Sequence, residues 1–310
     1  MRNAAVRIRH TVRLPLNAMP KTSSPRQMDS AYLDAQYNNR LRVPDFLTRH
    51  VVGWQSESAQ VRKHQACVLD VPYGQSAAEK VDIFPASGIG QPVLVFIHGG
   101  YWRSLDKADH SFIAPAFTQH GACAVVPNYA LCGPQSSATI EDIVLQMVRA
   151  VAWVHQNIDQ YGGDPSRITV VGHSAGGHLA AMLAACEWER FDASLPKQLV
   201  RNAMSISGLH DLAPIMQAPY LQTDLKLTQQ QVQRCSPAYF AKPRAPLLAV
   251  CGADESDEFL RQNALIESAW GTQAVPVREA LLGLNHFSIL QALVKPAHHL
   301  QVLALKLLGL

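Results

Sequence analysis

A serine between two glycines follows an apolar run near the middle of the chain. Residues 168–171 are rich in β-branched side chains, and Gly172-x-Ser174-x-Gly176 comes directly after them. This pattern is typical of a nucleophile elbow, a sharp strand-to-helix turn that exposes the serine hydroxyl, with glycines that allow a close approach. Such a serine can attack a carbonyl carbon if the fold supplies a base and an oxyanion hole. The alternative is an ordinary turn in which Ser174 only caps the helix.

A histidine and a group of carboxylates follow the last two apolar runs of the chain. We predict that His286 is the general base, because imidazole can take a proton from serine near neutral pH, and the alternative is a cap of the final helix. For the acid that orients this imidazole, Glu255 is our first choice, Asp254 the second and Asp257 the third. A carboxylate without that role would lie in solvent at a helix N-terminus, where negative charge is favoured.

A glycine pair follows another apolar run and could form the oxyanion hole. Residues 92–97 read as a strand that is buried on both faces, and the string HGGYW (residues 98–102) follows them. Backbone N–H groups in such a loop can point at a carbonyl oxygen. We expect donors among Gly99, Gly100 and Tyr101, with the N–H of Ala175 completing the set. The alternative is an ordinary Gly-Gly turn.

Three other histidines lie beside or within these motifs. His98 and His173 adjoin the motif glycines, and we expect them to brace loops. His178 falls inside the helix after Ser174, where a packing role is the simplest interpretation.

The remaining pattern alternates apolar runs with helical segments. Eight runs predict strands, at residues 67–72, 80–85, 92–97, 123–126, 167–171, 201–207, 246–251 and 275–282. Helices are predicted at residues 108–119, 140–160, 175–186, 256–271 and 286–308. This order indicates an α/β fold with a mostly parallel central sheet, helices on both faces and an antiparallel start. Residues 29–64 read as a helical arm, and residues 208–244 as an insertion over the strand ends that could form a lid.

Composition limits the class of protein. The chain has 310 residues, 48% of them hydrophobic and 16% charged, which suits a large buried core. A net charge of +3 without a concentrated basic face argues against nucleic acid as a partner, and no apolar run is long enough for a bilayer. Six scattered cysteines lack metal-site spacing and predict buried thiols in a reducing, cytoplasmic setting without a metal. A homodimer is compatible with the sequence.

The first 27 residues differ from the rest of the chain. They contain six arginines and lysines and no acidic residue, which is the composition of an organellar transit peptide. Three prolines interrupt any amphipathic helix there, so we favour a misassigned start codon, with Met28 as the true beginning. In both cases we expect residues 1–27 to be a disordered extension, and residues 28–310 to form a single domain.

Several motifs together resemble the kynurenine formamidase (arylformamidase) family of α/β-hydrolases. They are the string HGGYW, the string GHSAGGHLA around Ser174, and residues 33–39 and 255–262. The similarity runs from residue 29 to the C-terminus. The family has an HGGXW motif where lipases and esterases usually have HGGG. By this resemblance Ser174, Glu255 and His286 take the places of the catalytic triad, although the family's acid is often Asp.

The resemblance implies hydrolysis of N-formyl-L-kynurenine, a small-molecule substrate, to L-kynurenine and formate without a cofactor. A bulky Trp102 after the glycines would narrow the acyl side of the pocket and favour a formyl group; alternatively, Trp102 packs the loop against the body. A carboxylesterase for short acyl esters would use the same residues. A third hypothesis is a hydrolase-fold protein that binds a ligand without turning it over.

Overall fold

The computed structural model describes residues 29–310, so the predicted extension at residues 1–27 lies outside the described residues. Eight strands form one sheet in the order β1-β2-β4-β3-β5-β6-β7-β8. The pairs β1/β2 and β2/β4 are antiparallel, and the other neighbours are parallel. The strands are β1 Val68–Pro72, β2 Lys80–Phe84, β3 Gln91–Ile97, β4 Cys123–Pro127, β5 Gly163–His173, β6 Val200–Ile206, β7 Leu247–Gly252 and β8 Val277–Leu281.

Thirteen α-helices surround this sheet in the described part of the chain. They are α1 Ser30–Tyr37, α2 Asn39–Arg42, α3 Val52–His64, α4 Pro115–Thr118, α5 Ile140–Asn157, α6 Ala175–Ala184, α7 Trp188–Phe191, α8 Ala213–Gln217, α9 Pro219–Leu225, α10 Gln229–Cys235, α11 Asp257–Trp270, α12 Ser288–Val294 and α13 His299–Leu308. Short 3₁₀-helices span Lys107–Ile113, Ile158–Tyr161 and Pro237–Tyr239, and a π-helix spans Leu47–Val51. None of the helices within residues 29–310 has both the length and the apolar character needed to cross a bilayer.

Alternating side chains of the sheet divide the core into two layers. Along β3, Val93, Val95 and Ile97 join a cluster with residues of α5, α6 and α11, whereas Leu94 and Phe96 join a cluster with residues of α3, α4, α12 and α13. Successive residues of a strand point to opposite faces, so both faces of β3 are buried under helices. This architecture confirms the predicted α/β-hydrolase class.

One predicted helix is divided in the structure. The segment at residues 108–119 consists of the 3₁₀-helix Lys107–Ile113 followed by α4, which begins at Pro115. Proline has no N–H to donate to the preceding turn and is tolerated at the start of a helix, so a break at this position is expected from its chemistry.

The helical arm and the insertion meet over the sheet beside the loop after β3. In the arm, Tyr37 and Trp54 are completely or almost completely buried. The insertion contains α8, α9 and α10, and the N–H of Tyr220 in α9 donates to Asp34 of the arm at 2.9 Å. The Arg103 guanidinium donates to the backbone oxygen of Tyr220 at 2.9 Å. The contacts join the arm, the insertion and the loop after β3.

All six cysteines are free thiols. Five of them are buried, and Cys67 is partly buried. Burial raises the pKa of the Cys123 thiol to about 12, so this side chain stays neutral and behaves as an apolar core residue.

Candidate active site

Ser174 occupies the sharp turn between β5 and α6. Its backbone angles are φ 57° and ψ −118°, in a region that residues with a side chain rarely adopt. Its N–H donates to the Ile206 oxygen at 2.8 Å, which holds this conformation against the end of β6. Strain of this kind costs on the order of 1–3 kcal/mol and persists only where the surroundings enforce it. The turn has the geometry predicted for a nucleophile elbow.

Two glycines make this turn sterically feasible. A Cβ atom on Gly172 would lie 2.0 Å from the Gly176 oxygen, and one on Gly176 would lie 2.0 Å from the Ile97 oxygen. Both contacts are to backbone atoms, which cannot move aside as a flexible side chain can. The Gly-x-Ser-x-Gly spacing therefore allows β5, α6 and β3 to approach each other closely.

Three of the predicted residues meet at the carboxyl ends of the strands. His286 Nε2 lies 3.0 Å from Ser174 Oγ, and His286 Nδ1 lies 2.6 Å from Glu255 Oε2. All three side chains are buried or almost buried. Asp254 and Asp257, the other candidates for the acid, are exposed. This arrangement allows the imidazole to take a proton from the hydroxyl while the carboxylate holds the opposite ring nitrogen.

Ser207, which the sequence analysis did not identify, holds the carboxylate of Glu255. Its hydroxyl donates to Glu255 Oε1 at 2.5 Å, and the N–H of Gly252 donates to the same oxygen at 2.8 Å. Ser207 follows β6 directly and has a left-handed φ of 52°. Its position at a strand end next to the elbow strand is the signal that could have found it.

His173 contacts the backbone of His286. Its Nε2–H donates to the His286 oxygen at 2.8 Å, and the two ring centroids are 4.8 Å apart. Burial, assisted by the neighbouring imidazole of His286, holds the pKa of His173 well below 6.5. A neutral His173 can keep this hydrogen bond without placing a charge beside His286, in agreement with the expected bracing role.

His98 holds the loop after β3 in place. Its ring stacks on Tyr129 with a centroid distance of 4.3 Å, and its Nδ1–H donates to the Gly99 oxygen at 2.8 Å. Burial lowers the pKa of His98 below 6.5, so the ring is neutral near pH 7. This position agrees with the expected bracing role.

The loop after β3 packs directly on the elbow. A Cβ atom on Gly99 would lie 2.9 Å from the His173 oxygen and 3.0 Å from Ser174 Cβ. Gly100 has φ 105°, and Tyr101 has φ 51°, so the chain reverses sharply beside the serine. Ala175 is the first residue of α6, where backbone N–H groups have no acceptor within the helix. The structure thus brings Gly99, Gly100, Tyr101 and Ala175 to the side of Ser174.

Tyr101 links this loop to the helical arm. Its hydroxyl donates to the Tyr37 oxygen at 2.6 Å. The Tyr37 hydroxyl in turn donates to Glu258 Oε2 in α11 at 2.6 Å. Burial raises the pKa of both phenols well above 10, so both remain protonated donors. The arm is therefore hydrogen-bonded to both the loop and α11 near the site.

The structure corrects the pocket role predicted for Trp102. This side chain is completely buried and contacts the His178 ring edge-on, with centroids 5.0 Å apart. Trp102 is not one of the described residues that line the cavity beside Ser174. Its φ of 55° turns the chain so that the indole enters the core, as in the packing alternative. His178 packs here as expected, and burial lowers its pKa to about 4.

An aromatic cavity adjoins Ser174 and His286. Its volume is about 50 Å³. Because one buried water needs on the order of 10–15 Å³, the cavity has room for a few water molecules. Phe46 stacks on Phe287 at 5.1 Å in its wall. These rings give the wall of the cavity an aromatic surface. The aromatic lining residues are Phe46, Trp54, Tyr101, Tyr220 and Phe287.

Within residues 29–310, no group of three or more His, Cys, Asp or Glu side chains is arranged to hold a metal ion. The polar groups next to Ser174 are instead those of a histidine, a carboxylate and backbone amides.

Comparison with known proteins identifies the family. The sequence profile of the BD-FAE family matches residues 81–263. The chain is 30% identical to a kynurenine formamidase of Danio rerio over 298 residues, which cover 93% of this chain and 98% of that protein. The chain belongs to the kynurenine formamidase family of α/β-hydrolases. It is a hydrolase of the serine amidase and esterase type.

Two other proteins either match a smaller part of this chain or have a lower sequence identity to it. Esterase LipQ of Mycobacterium tuberculosis is 35% identical over 46% of this chain and 38% of its own length. The crystal structure of a proposed thioesterase from Silicibacter sp. TM1040 is 27% identical and superposes with a TM-score of 0.75. That superposition covers 87% of this chain and 97% of the other, so the fold extends beyond the kynurenine formamidase family.

Proposed function

We propose that this protein hydrolyses N-formyl-L-kynurenine to L-kynurenine and formate. The observation that carries the proposal is the similarity to the Danio rerio kynurenine formamidase, which extends over 93% of the chain. The similarity to esterase LipQ extends over 46% of the chain. Substrate choice depends on the whole cavity, so a relative that matches the arm, the sheet and the closing helices together is the better guide.

In the proposed mechanism, Ser174 is the nucleophile. Its Oγ attacks the formyl carbon while its proton passes to His286 Nε2, 3.0 Å away. Glu255 accepts the hydrogen bond from Nδ1–H, keeps the productive tautomer and stabilises the imidazolium. Ser207 and the Gly252 N–H hold the carboxylate in place.

The negative charge on the formyl oxygen is stabilised by backbone amides. We assign the donors to Gly99, Gly100, Tyr101 and Ala175, which surround Ser174. The Ala175 N–H also lies at the positive end of the α6 dipole. A single donor of this kind contributes about 10²–10³-fold to kcat in related sites.

Collapse of the tetrahedral intermediate breaks the C–N bond. His286 gives its proton to the aryl nitrogen, L-kynurenine leaves, and the formyl group remains on Ser174 Oγ as an ester. A water molecule then attacks the formyl carbon while His286 accepts one of its two protons. His286 returns that proton to Ser174 Oγ as the ester C–O bond breaks, and formic acid leaves and gives its remaining proton to solvent to become formate. The atoms and charges balance without a metal or an organic cofactor.

The lining of the cavity supports an aryl substrate. Phe46, Trp54 and Phe287 provide ring surfaces next to the reacting groups. Offset or edge-on contacts between aromatic rings contribute about 0.5–1.5 kcal/mol each beyond the area they bury. A formanilide and an aryl ester such as p-nitrophenyl acetate would both gain these contacts, whereas a short aliphatic ester would not.

A comparison of specificity constants tests the proposal. We expect the purified enzyme to hydrolyse N-formyl-L-kynurenine with a kcat/KM at least about tenfold above that for p-nitrophenyl acetate. The release of kynurenine is followed by absorbance, and Ser174→Ala is the inactive control. A higher kcat/KM on the ester would refute the formamidase assignment.

A carboxylesterase for short acyl esters is the second candidate. It is supported by the 35% identity with esterase LipQ in the shared region. Both candidates use Ser174, His286 and Glu255, so the ratio of the two specificity constants distinguishes them.

A further inference from the structure

Arg40 and Arg103 lie at the mouth of the cavity beside Ser174, and within residues 29–310 only Arg103 forms an ion pair. Arg103 forms an ion pair with Asp224 and stacks over the Tyr220 ring, with its guanidinium carbon 4.4 Å from the ring centroid. Only 12% of its side chain is exposed. The charge of Arg103 is thus already balanced, and its role is to attach α9 to the loop after β3.

Among the residues that the structure describes, Arg40 has no such acidic partner. Its guanidinium carbon lies 5.3 Å from the centroid of the Phe46 ring, and its one hydrogen bond is a long contact of 3.4 Å with Ser104 Oγ. In the part of the chain that the structure describes, no carboxylate is within ion-pairing distance of this guanidinium. Arg40 is exposed, and its side chain therefore carries a positive charge without an ion-pairing carboxylate, within residues 29–310, at the edge of the cavity that it lines.

The adjacent residue adds an unsatisfied donor. Asn39 is only 4% exposed and lines the same cavity as Ser174. Its Nδ2 is buried and has no hydrogen-bond partner among the described residues. Buried amides in folded proteins are nearly always paired, so the Nδ2 of Asn39 is a donor for a ligand in this cavity once the side chain turns toward it.

We propose that Arg40 and Asn39 bind the carboxylate of an amino-acid substrate. The inference rests on the proposed function, because N-formyl-L-kynurenine carries an α-carboxylate at the end away from its formyl group. A guanidinium presents a planar fork of donors that matches a carboxylate, and Asn39 supplies a further N–H. Arg40 is thus a specificity residue that distinguishes amino-acid formanilides from neutral formanilides and esters.

A charge-neutral variant tests this site with two matched substrates. For Arg40→Gln we expect kcat/KM on N-formyl-L-kynurenine to fall about 10- to 100-fold, mainly through KM, because a charge-assisted contact is lost. On 2′-formamidoacetophenone, which keeps the formanilide and the ketone but has no amino-acid group, we expect a change below about threefold. Arg40→Lys should recover part of the loss, since it keeps the charge but not the fork.

Arg49→Gln is the matched control. Arg49 belongs to the same arm, is exposed and pairs with Asp45 at 3.6 Å. Its replacement removes the same charge from the arm without touching the cavity, so both substrates should be hydrolysed as by the wild type. An equal loss on both substrates in Arg40→Gln, or no loss on the charged one, would overturn the carboxylate site.

Product inhibition separates failure of this site from failure of the proposed function. With p-nitrophenyl acetate as the substrate, we measure inhibition by L-kynurenine and by 2-aminoacetophenone, which lacks the amino-acid group and hence the carboxylate. Arg40→Gln should raise the inhibition constant of L-kynurenine at least about tenfold and leave that of 2-aminoacetophenone unchanged. If the wild type prefers the ester and this pattern still holds, the formamidase proposal fails and the carboxylate site stands. An unchanged constant for L-kynurenine overturns the site.

Discussion

At the scale of single residues, two neighbouring carboxylates have different environments. Glu255 is 6% exposed and accepts hydrogen bonds from Ser207, Gly252 and His286. Asp254 is exposed, and its N–H donates to the Leu284 oxygen. Hydrogen bonds from these three groups fix the direction of the Glu255 carboxylate, whereas the exposed Asp254 side chain makes no hydrogen bond to the imidazole within residues 29–310. The proposed mechanism therefore depends on Glu255.

Replacement of each carboxylate by its amide tests this difference. We expect Glu255→Gln to lower kcat by about 10³-fold or more, because an amide in this place favours the wrong imidazole tautomer. The matched change Asp254→Asn should alter kcat less than about twofold, as for most exposed positions. Steady-state rates on formylkynurenine provide the measurement. A larger loss of kcat in Asp254→Asn than in Glu255→Gln would assign the role of the acid to Asp254.

At the scale of elements, the junction of β5 and α6 depends on backbone contact. Gly172 meets the backbone of Gly176 across the elbow, and Gly176 meets the backbone of Ile97 in β3. The same closeness places Ser174 next to the loop that starts at His98. The elements that position Ser174 are thus in contact through backbone atoms, and the space at Gly172 and Gly176 is too small for a side chain.

An alanine at Gly172 should therefore destabilise the fold. We expect Gly172→Ala to lower the free energy of unfolding by about 3 kcal/mol or more, the upper range for overpacking. The control is Gly53→Ala in α3, where an added Cβ would meet nothing within 4 Å. Removal of a helical glycine there should raise the free energy of unfolding by up to about 1 kcal/mol. Urea unfolding measures both, and equal values for the two variants would contradict the close contact.

At the scale of the whole molecule, the five most deeply buried histidines within residues 29–310 couple stability to pH. They are His98, His110, His173, His178 and His210. Burial lowers the pKa of each of them below 6.5, to about 3 for His110 and His210. In the unfolded chain these side chains bind protons near pH 6.5, whereas in the folded protein they remain neutral until a much lower pH.

Stability should therefore fall as the pH drops from about 6.5 toward 4, since the unfolded state binds more protons in this window. Each such histidine contributes up to about 1.4 kcal/mol per pH unit. Urea unfolding at pH 7, 6 and 5 measures the slope. His210→Gln should reduce it, whereas His120→Gln, at an exposed position, serves as the control. A free energy of unfolding that is constant between pH 7 and 5 would refute this coupling.

The sequence by itself determined the alternation of strands and helices, the elbow around Ser174 and the glycine loop after β3. These features depend on local chemistry: apolar periodicity, the conformational freedom of glycine and the fixed φ of proline. The resemblance that these motifs carry then indicated an α/β-hydrolase, as the eight-stranded sheet confirms.

Only the tertiary structure decided which side chains face the site. It placed Glu255 on the His286 imidazole while leaving Asp254 exposed, turned Trp102 into the core, and brought Ser207 to the carboxylate. Within the described range 29–310, it also left Arg40 without an ion-pairing carboxylate beside the cavity. The reason is that contacts between residues such as 174 and 286, which are 112 positions apart, depend on how several elements pack together. No local pattern of residues encodes the direction of a side chain across such an interface.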